Sequence, residues 1–167
     1  MIKYFLALVA IILVLGCTTN APQNSTFNST SASQVVKTGD HISVDYTGML
    51  ENGTIFDSSA GRVPLEFNAG GGQMIKGFDA AVIGMRVGEE KTVTIKPEDA
   101  YGQYDEKNIV AIPITSVPNG TKVGDTLYAG RQSARVLDIK NNTAVLDVNH
   151  PLAGKTLIFK IKIVKIN

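Results

Sequence analysis

Apolar and polar residues alternate along this chain in short bursts, and helical stripes are rare. Over His41–Leu50, "HISVDYTGML", the alternation puts Ile42, Val44, Tyr46 and Leu50 on one face, the period of a half-buried β-strand. Asn52 and Gly53 then make a tight turn that sends Phe56 and Asp57 back along a partner strand. A second run, Glu90–Ile95, follows the turn "VGEE". A third, over 157–165, sets Leu157, Phe159, Ile161 and Ile163 inward and Lys160 and Lys162 toward water. Only 76–83 reads as a helix: a glycine-rich loop at 70–72 introduces it, Gly84 stops it, and Phe78, Val82 and Ile75 point inward. One short helix across antiparallel strands predicts an α+β fold.

Between Asp105 and Asn149 lies a second β-rich segment, with turn signals "PNGTKVGD" and "KNN" and apolar strands over 133–139 and 143–148. It reads as a small all-β unit, a candidate barrel. At about 45 residues its own core is marginal, so packing against the rest of the chain through its flanking strands supports it. The turns at Gly39, Gly88 and Gly124 resemble one another, but short glycine-acid turns before strands are a hairpin device and not a repeat.

Composition narrows the class. The chain has 167 residues, a net charge of +1, and is 44% hydrophobic and 19% charged, which suits a globular protein and implies no nucleic-acid partner. The N-terminus departs from this average. Lys3 precedes an apolar run over 4–15 that leads into "VLGC", and Cys17 is the only cysteine. The run is shorter than the roughly 18 residues of a membrane-spanning helix, so 1–17 reads as an export signal. "VLGC" resembles a lipobox, with Gly16 suiting the peptidase and the Cys17 thiol taking the lipid; a plain signal peptide or signal anchor is the alternative. Residues 18–36 are rich in Ser, Thr, Asn, Pro and Ala and read as a disordered tether. Asn24 and Asn28 each head an "NST" sequon.

Two distant stretches carry the candidate chemistry: "VDYTGMLENGTIFDSS" and "DAYGQYDE" place aromatics beside a single acid. With "NHPLAGKTLIF" further on, they resemble FKBP-type peptidyl-prolyl cis-trans isomerases. The long segment between "YGQYDE" and "NHPLAG" is similar to the SlyD-like subgroup, which carries a chaperone domain inserted in the flap. The resemblance implies an FKBP-like α+β domain over 37–106 and 149–167, with the insert at 107–148. It also implies a pocket formed by Tyr46, Phe56, Asp57, Ile75, Phe78, Tyr101 and Phe159, with Leu65 and Met74 contacting substrate. Phe78 is the floor, the Ile75 N–H and Tyr101 hydroxyl orient the peptide, and Asp57 polarises the site. Read singly, the aromatics are equally well core residues, and Asp57 a turn or capping acid beside Ser58 and Ser59.

The chain departs from the family pattern where a Trp floor is common, having Phe78 and no Trp, and at Leu65, where an aromatic is common. Weaker macrolide binding is the expectation. In the insert, Ile112, Ile114 and Val117 are candidates to grip an unfolded chain by strand addition, or else to form the insert's own core. His41 and His150 have no neighbouring ligand cluster, so neither a metal nor a cofactor is expected; nor does the glycine run match a phosphate-binding loop. The expected function is isomerisation of X-Pro bonds in exported proteins, with holdase binding by the insert. The expected partners are unfolded or proline-containing polypeptides and, through lipidated Cys17, the outer face of the cell membrane, with the protein a monomer. The rival readings are a chain-binding module with little turnover and an inert surface lipoprotein.

Overall fold

The computed structural model describes residues 34–167 except Arg131. Cys17, Asn24, Asn28 and the stretch read as an export signal lie outside the described residues. In chain order the elements are β1 (His41–Leu50), β2 (Ile55–Ser58), β3 (Leu65–Asn68), α1 (Lys76–Val82) and β4 (Glu90–Ile95). They are followed by β5 (Ile109–Pro113), β6 (Thr126–Ala129), β7 (Gln132–Lys140), β8 (Thr143–Asp147) and β9 (Leu157–Ile166).

The first sheet is antiparallel, in the order β2-β1-β9-β4, and β3 shares with β2 the outer edge of β1. The alternation seen in the sequence sets the inner face. Ile42, Val44, Leu157, Ile161 and Ile163 have no exposed surface, while Lys160 and Lys162 face water. Helix α1 lies against this face with Phe78, Ala81 and Val82 inward. The helix and β4 meet without a side chain between them at Gly77, where a Cβ would fall 2.4 Å from Ile95 Cγ2. This is the α+β architecture expected from the sequence.

Seven residues are too few for a helix to be stable alone, so tertiary contacts hold α1. Its first turn closes on the Ile75 carbonyl, which accepts from the Phe78 and Asp79 N–H groups at 3.0 Å each. The buried Asp79 carboxylate accepts from the Gly70 and Gly72 N–H groups at 2.6 and 2.9 Å, tying the glycine loop to the helix. The loop that looked unlike a phosphate site is therefore a bracket that fixes the chain entering α1.

The folded region starts earlier than the expected tether boundary at residue 36. Val36 is 1% exposed within the core, its N–H donates to the Met85 carbonyl at 2.8 Å, and its carbonyl accepts from Gly84 at 2.9 Å. A β-branched apolar pair, Val35 and Val36, ends the polar tract, and burying it offsets the cost of ordering two more residues.

The segment between β4 and β9 builds a second antiparallel sheet in the order β5-β8-β7-β6. It is an open sheet and not the candidate barrel of the sequence pattern. β5 and β6 are both edges, and the chain between them packs Ile114 and Val117 into a small core with Val136, Ala144 and Leu146. That connection covers the apolar face that barrel closure would otherwise have buried.

The two sheets are joined where this segment leaves and returns. Buried Asn149 donates to the Asp105 carbonyl at 2.9 Å, and its side-chain oxygen accepts from the Asp105 N–H at 3.1 Å and from Asn108 Nδ2 at 3.0 Å. Below it, the Gly154 N–H donates to the Gly102 carbonyl at 2.8 Å. Two separated stretches of sequence are thus held side by side at the end of the first sheet.

Candidate active site

One end of the first sheet opens into a cleft of about 270 Å³. β1 contributes Tyr46, β2 Phe56 and Asp57, β3 Leu65, and β9 Phe159. The irregular segment held by the glycine bracket contributes Gln73, Met74 and Ile75; α1 adds Phe78, and the turn after Pro97–Asp99 adds Tyr101. Every residue that the sequence resemblance assigned to the isomerase pocket lies around this cleft. Gln73 joins them, its side-chain oxygen accepting from the Asn68 N–H at 2.8 Å.

The floor is a cluster of rings meeting edge to face. Phe78 and Phe159 have centroids 5.2 Å apart at 81°, Phe78 and Tyr46 6.0 Å at 86°, and Phe56 and Phe159 5.6 Å at 86°. Such contacts each contribute about 0.5–1.5 kcal/mol beyond burial, and they hold the rings at fixed angles. Phe67 supports Phe78 from the core at 5.9 Å.

Gly48 makes this geometry possible. It pairs with both Asp57 and Phe159 across β1, and a Cβ there would lie 2.7 Å from the Phe56 ring and 2.8 Å from the Phe159 ring. The two rings therefore occupy the volume a side chain would have needed. The sequence reading passed over Gly48, although a glycine inside an alternating strand is a signal of close approach.

Asp57 sits at the rim, fully engaged. It accepts from the Tyr46 hydroxyl at 2.5 Å, from Arg62 Nη2 at 2.6 Å and from the Ser58 N–H at 2.8 Å, while Arg62 also donates to the Ser58 carbonyl. The Tyr46 hydrogen bond leads in holding this carboxyl below its ordinary range, with Arg62 and the Ser58 N–H adding to it. Burial, followed by Asp57, pushes the Tyr46 hydroxyl up to about 12. Asp57 and Arg62 are both about half exposed, so water screens the pair and its value lies in orientation more than in stability. Arg62 was another residue missed from the sequence, because an arginine in a loop of small residues carries no periodic signal.

Across the cleft, burial and then the Asp57 charge raise the Tyr101 hydroxyl above its usual range. Neither that hydroxyl nor the Ile75 N–H donates to an acceptor among the described residues. The site therefore offers an apolar hollow, a fixed carboxylate and two donors with no acceptor among the described residues. No group lining it titrates near neutrality with the geometry of a general base.

The other candidates lie elsewhere. Ile112 and Ile114 both pack against the second sheet's core, and Ile112 also lines a separate groove of about 810 Å³ with Val117, Leu127, Tyr128 and Leu146. Val117, at 7% exposed, is chiefly a core residue.

Comparison with known proteins agrees with this geometry. Residues 32–164 match the model of FKBP-type peptidyl-prolyl cis-trans isomerases. The chain belongs to that family. It is 40% identical over 147 residues to the short-type peptidyl-prolyl cis-trans isomerase of Methanocaldococcus jannaschii, covering 77% of this chain and 92% of that protein. It is 31% identical over 141 residues to the probable FKBP-type 16 kDa peptidyl-prolyl cis-trans isomerase of Pseudomonas fluorescens, covering 81% and 94%. It is also 37% identical over 128 residues to the FKBP-type isomerase SlyD of Aeromonas hydrophila, covering 73% of this chain and 60% of that one. The protein is thus an FKBP-type peptidyl-prolyl cis-trans isomerase.

Two expectations follow from the geometry. Gly48→Ala will lower kcat/KM on an X-Pro tetrapeptide by about tenfold, since a displacement of roughly 1 Å at a positioned group costs one to two orders of magnitude. A wild-type rate would show that the ring angles do not matter. The second concerns pH. Asp57 has a lowered folded-state pKa, so its contribution to stability is complete above the unfolded value of about 3.9 and is lost as pH falls through the folded value. The Tm difference between wild type and Asp57→Asn should be constant from neutrality down to about pH 4 and should close below it; a difference that closes nearer pH 6 would contradict the engaged-carboxylate geometry.

Proposed function

We propose that this isomerase holds the proline ring of an extended polypeptide in the cleft beside Asp57, and that the β5–β8 sheet is a flap-inserted chaperone domain that captures the surrounding chain. The observation that carries the first part is the ring cluster itself: Phe78, Phe159, Phe56 and Tyr46 frame an open hollow with a single, already satisfied carboxylate at its rim.

The chemistry follows from the amide. Resonance raises the barrier to rotation to ~18–20 kcal/mol, and it separates charge between oxygen and nitrogen. At the twisted transition state that resonance is lost and the bond is less polar. An apolar, preformed surface therefore stabilises the twisted bond relative to the planar one, which water solvates better. No nucleophile and no proton relay are required. A preference of about 4 kcal/mol gives roughly a thousandfold acceleration, against uncatalysed exchange that takes tens to hundreds of seconds.

Each polar group has a positioning role. The Tyr101 hydroxyl and the Ile75 N–H donate to carbonyls flanking the proline. Asp57 holds Tyr46 upright against Phe78 and places a negative edge at the cleft mouth, and Arg62 keeps that carboxylate from turning into the hollow. Leu65 and Met74 supply apolar walls. Phe78 as floor leaves more room than a bicyclic ring, so macrolide inhibitors bind weakly.

The second sheet supports the capture role through its open edges β5 and β6 and its groove, where Ile112 lies beside the exposed Tyr128. An extended client adds to such an edge through main-chain hydrogen bonds that tolerate any sequence. We also assign the protein to the outer face of the cell membrane, anchored by a lipid on Cys17, on the strength of Lys3, the apolar run over 4–15 and "VLGC". Mass spectrometry of the native N-terminus checks this: an acylated Cys17 as first residue supports it, and an intact leader refutes it.

Asp57→Ala combined with Tyr101→Phe should reduce the exchange rate of a short X-Pro peptide by at least tenfold, read by exchange NMR; an unchanged rate refutes the site assignment. Replacing 107–148 by a short loop should preserve tetrapeptide turnover and abolish suppression of aggregation of an unfolding protein. If both activities survive the replacement, the capture role is wrong.

A further inference from the structure

Tyr101 lines the cleft, but its hydroxyl has no hydrogen-bond partner there among the described residues. The Tyr101 ring is about two-fifths exposed and lies face to face with His150, with centroids 3.8 Å apart and planes within 4°. His150 belongs to the irregular segment that returns from the second sheet, between β8 and β9, so the Tyr101 ring rests on a residue nearly fifty positions away in the chain.

That residue is itself fixed on several sides. Its Nδ1 accepts from the Leu152 N–H at 3.1 Å, which places the remaining proton on Nε2 and sets the ring plane. Its carbonyl accepts from the Ala153 N–H at 2.8 Å, and Leu152 packs on the main core. Immediately before it, Asn149 is clamped to Asp105. On the tyrosine side, the Gly102 N–H donates to the Pro97 carbonyl and its carbonyl accepts from Gly154, each at 2.8 Å. Burial lowers the proton affinity of His150, which lines a recess with Tyr104, Arg135, Asp147 and Lys155, so the ring is neutral at pH 7 and Nδ1 stays an acceptor.

We infer that His150 is a positioning residue for Tyr101: its ring, stacked on Tyr101, holds the tyrosine hydroxyl at the distance from the cleft that a substrate carbonyl requires. This rests on the reading of Tyr101 as a donor to substrate. A tyrosine that is partly exposed and hydrogen-bonded to nothing would sweep between rotamers, and a hydroxyl displaced by about 1 Å loses most of its catalytic value. The stack removes that freedom before substrate arrives.

Two variants in the full chain separate the stack from the turn. His150→Asn keeps an acceptor for the Leu152 N–H, as an Asx turn does, but removes the stacked ring. His150→Phe keeps the ring and removes the acceptor. The expected result, from exchange NMR on an X-Pro tetrapeptide, is that Asn lowers kcat/KM at least fivefold while Phe restores it to within about twofold of wild type, the loss being that of a misplaced donor. In a Tyr101→Phe background the Asn substitution should cost nothing further, because both changes remove the same interaction. The inference is overturned if Asn keeps the wild-type rate, if Phe is the slower variant, or if Asn costs the same in both backgrounds. Tyr101→Phe at full rate refutes the underlying reading of the site; a slowed Tyr101→Phe beside a full-rate His150→Asn refutes the positioning role alone.

Discussion

The packing of Phe78 against Phe159 and Tyr46 is the contact on which the rest depends. Phe78 belongs to a seven-residue helix that has no stability of its own, Phe159 to the central strand β9, and Tyr46 to β1. Their edge-to-face contact docks the helix on the sheet and, by the same atoms, makes the floor of the cleft. Fold and site are therefore not separable here. Anything that loosens α1 also opens the floor, and the Asp79 bracket on the glycine loop protects both at once.

The cleft walls come from strands whose registers are set by burial. Because side chains alternate with period two, the inward placement of Leu157, Ile161 and Ile163 requires Phe159 to face the same side, and the β1–β9 register then sets Phe159 opposite Gly48. The missing side chain at Gly48 admits Phe56 from β2. Asp57 follows Phe56 in the chain and so falls at the rim, where Tyr46 and Arg62 take up its charge. A carboxylate left unpaired beside an apolar hollow would have been costly; engaged, it braces the wall.

Much of this was legible beforehand. Alternation over His41–Leu50 and 157–165, and a lone helical stripe over 76–83, identified the main sheet and its helix because each has a wetter and a drier face. The cleft residues were legible as a set because the motifs keep their spacing. What escaped detection was less periodic. Gly48 acts by having no side chain, Arg62 lies in an irregular loop, and Val36 sits at the end of a polar tract whose composition outweighed two valines. The open second sheet was unpredictable for a different reason: whether edge strands close a barrel depends on where the connection between them packs, which strand patterns do not record. Likewise the Tyr101–His150 stack joins positions separated by an entire sheet, and no local pattern links them.

The central claim is that an apolar surface, and not proton transfer, lowers the rotational barrier. The most direct test is kcat/KM for one X-Pro tetrapeptide in H2O and in D2O at matched acidity. With Asp57 engaged and no other carboxylate or histidine lining the cleft, the two rates should agree, giving a ratio of about one. A reaction about twofold or more slower in D2O would mean that a proton moves in the rate-limiting step, and the apolar-pocket account would be wrong.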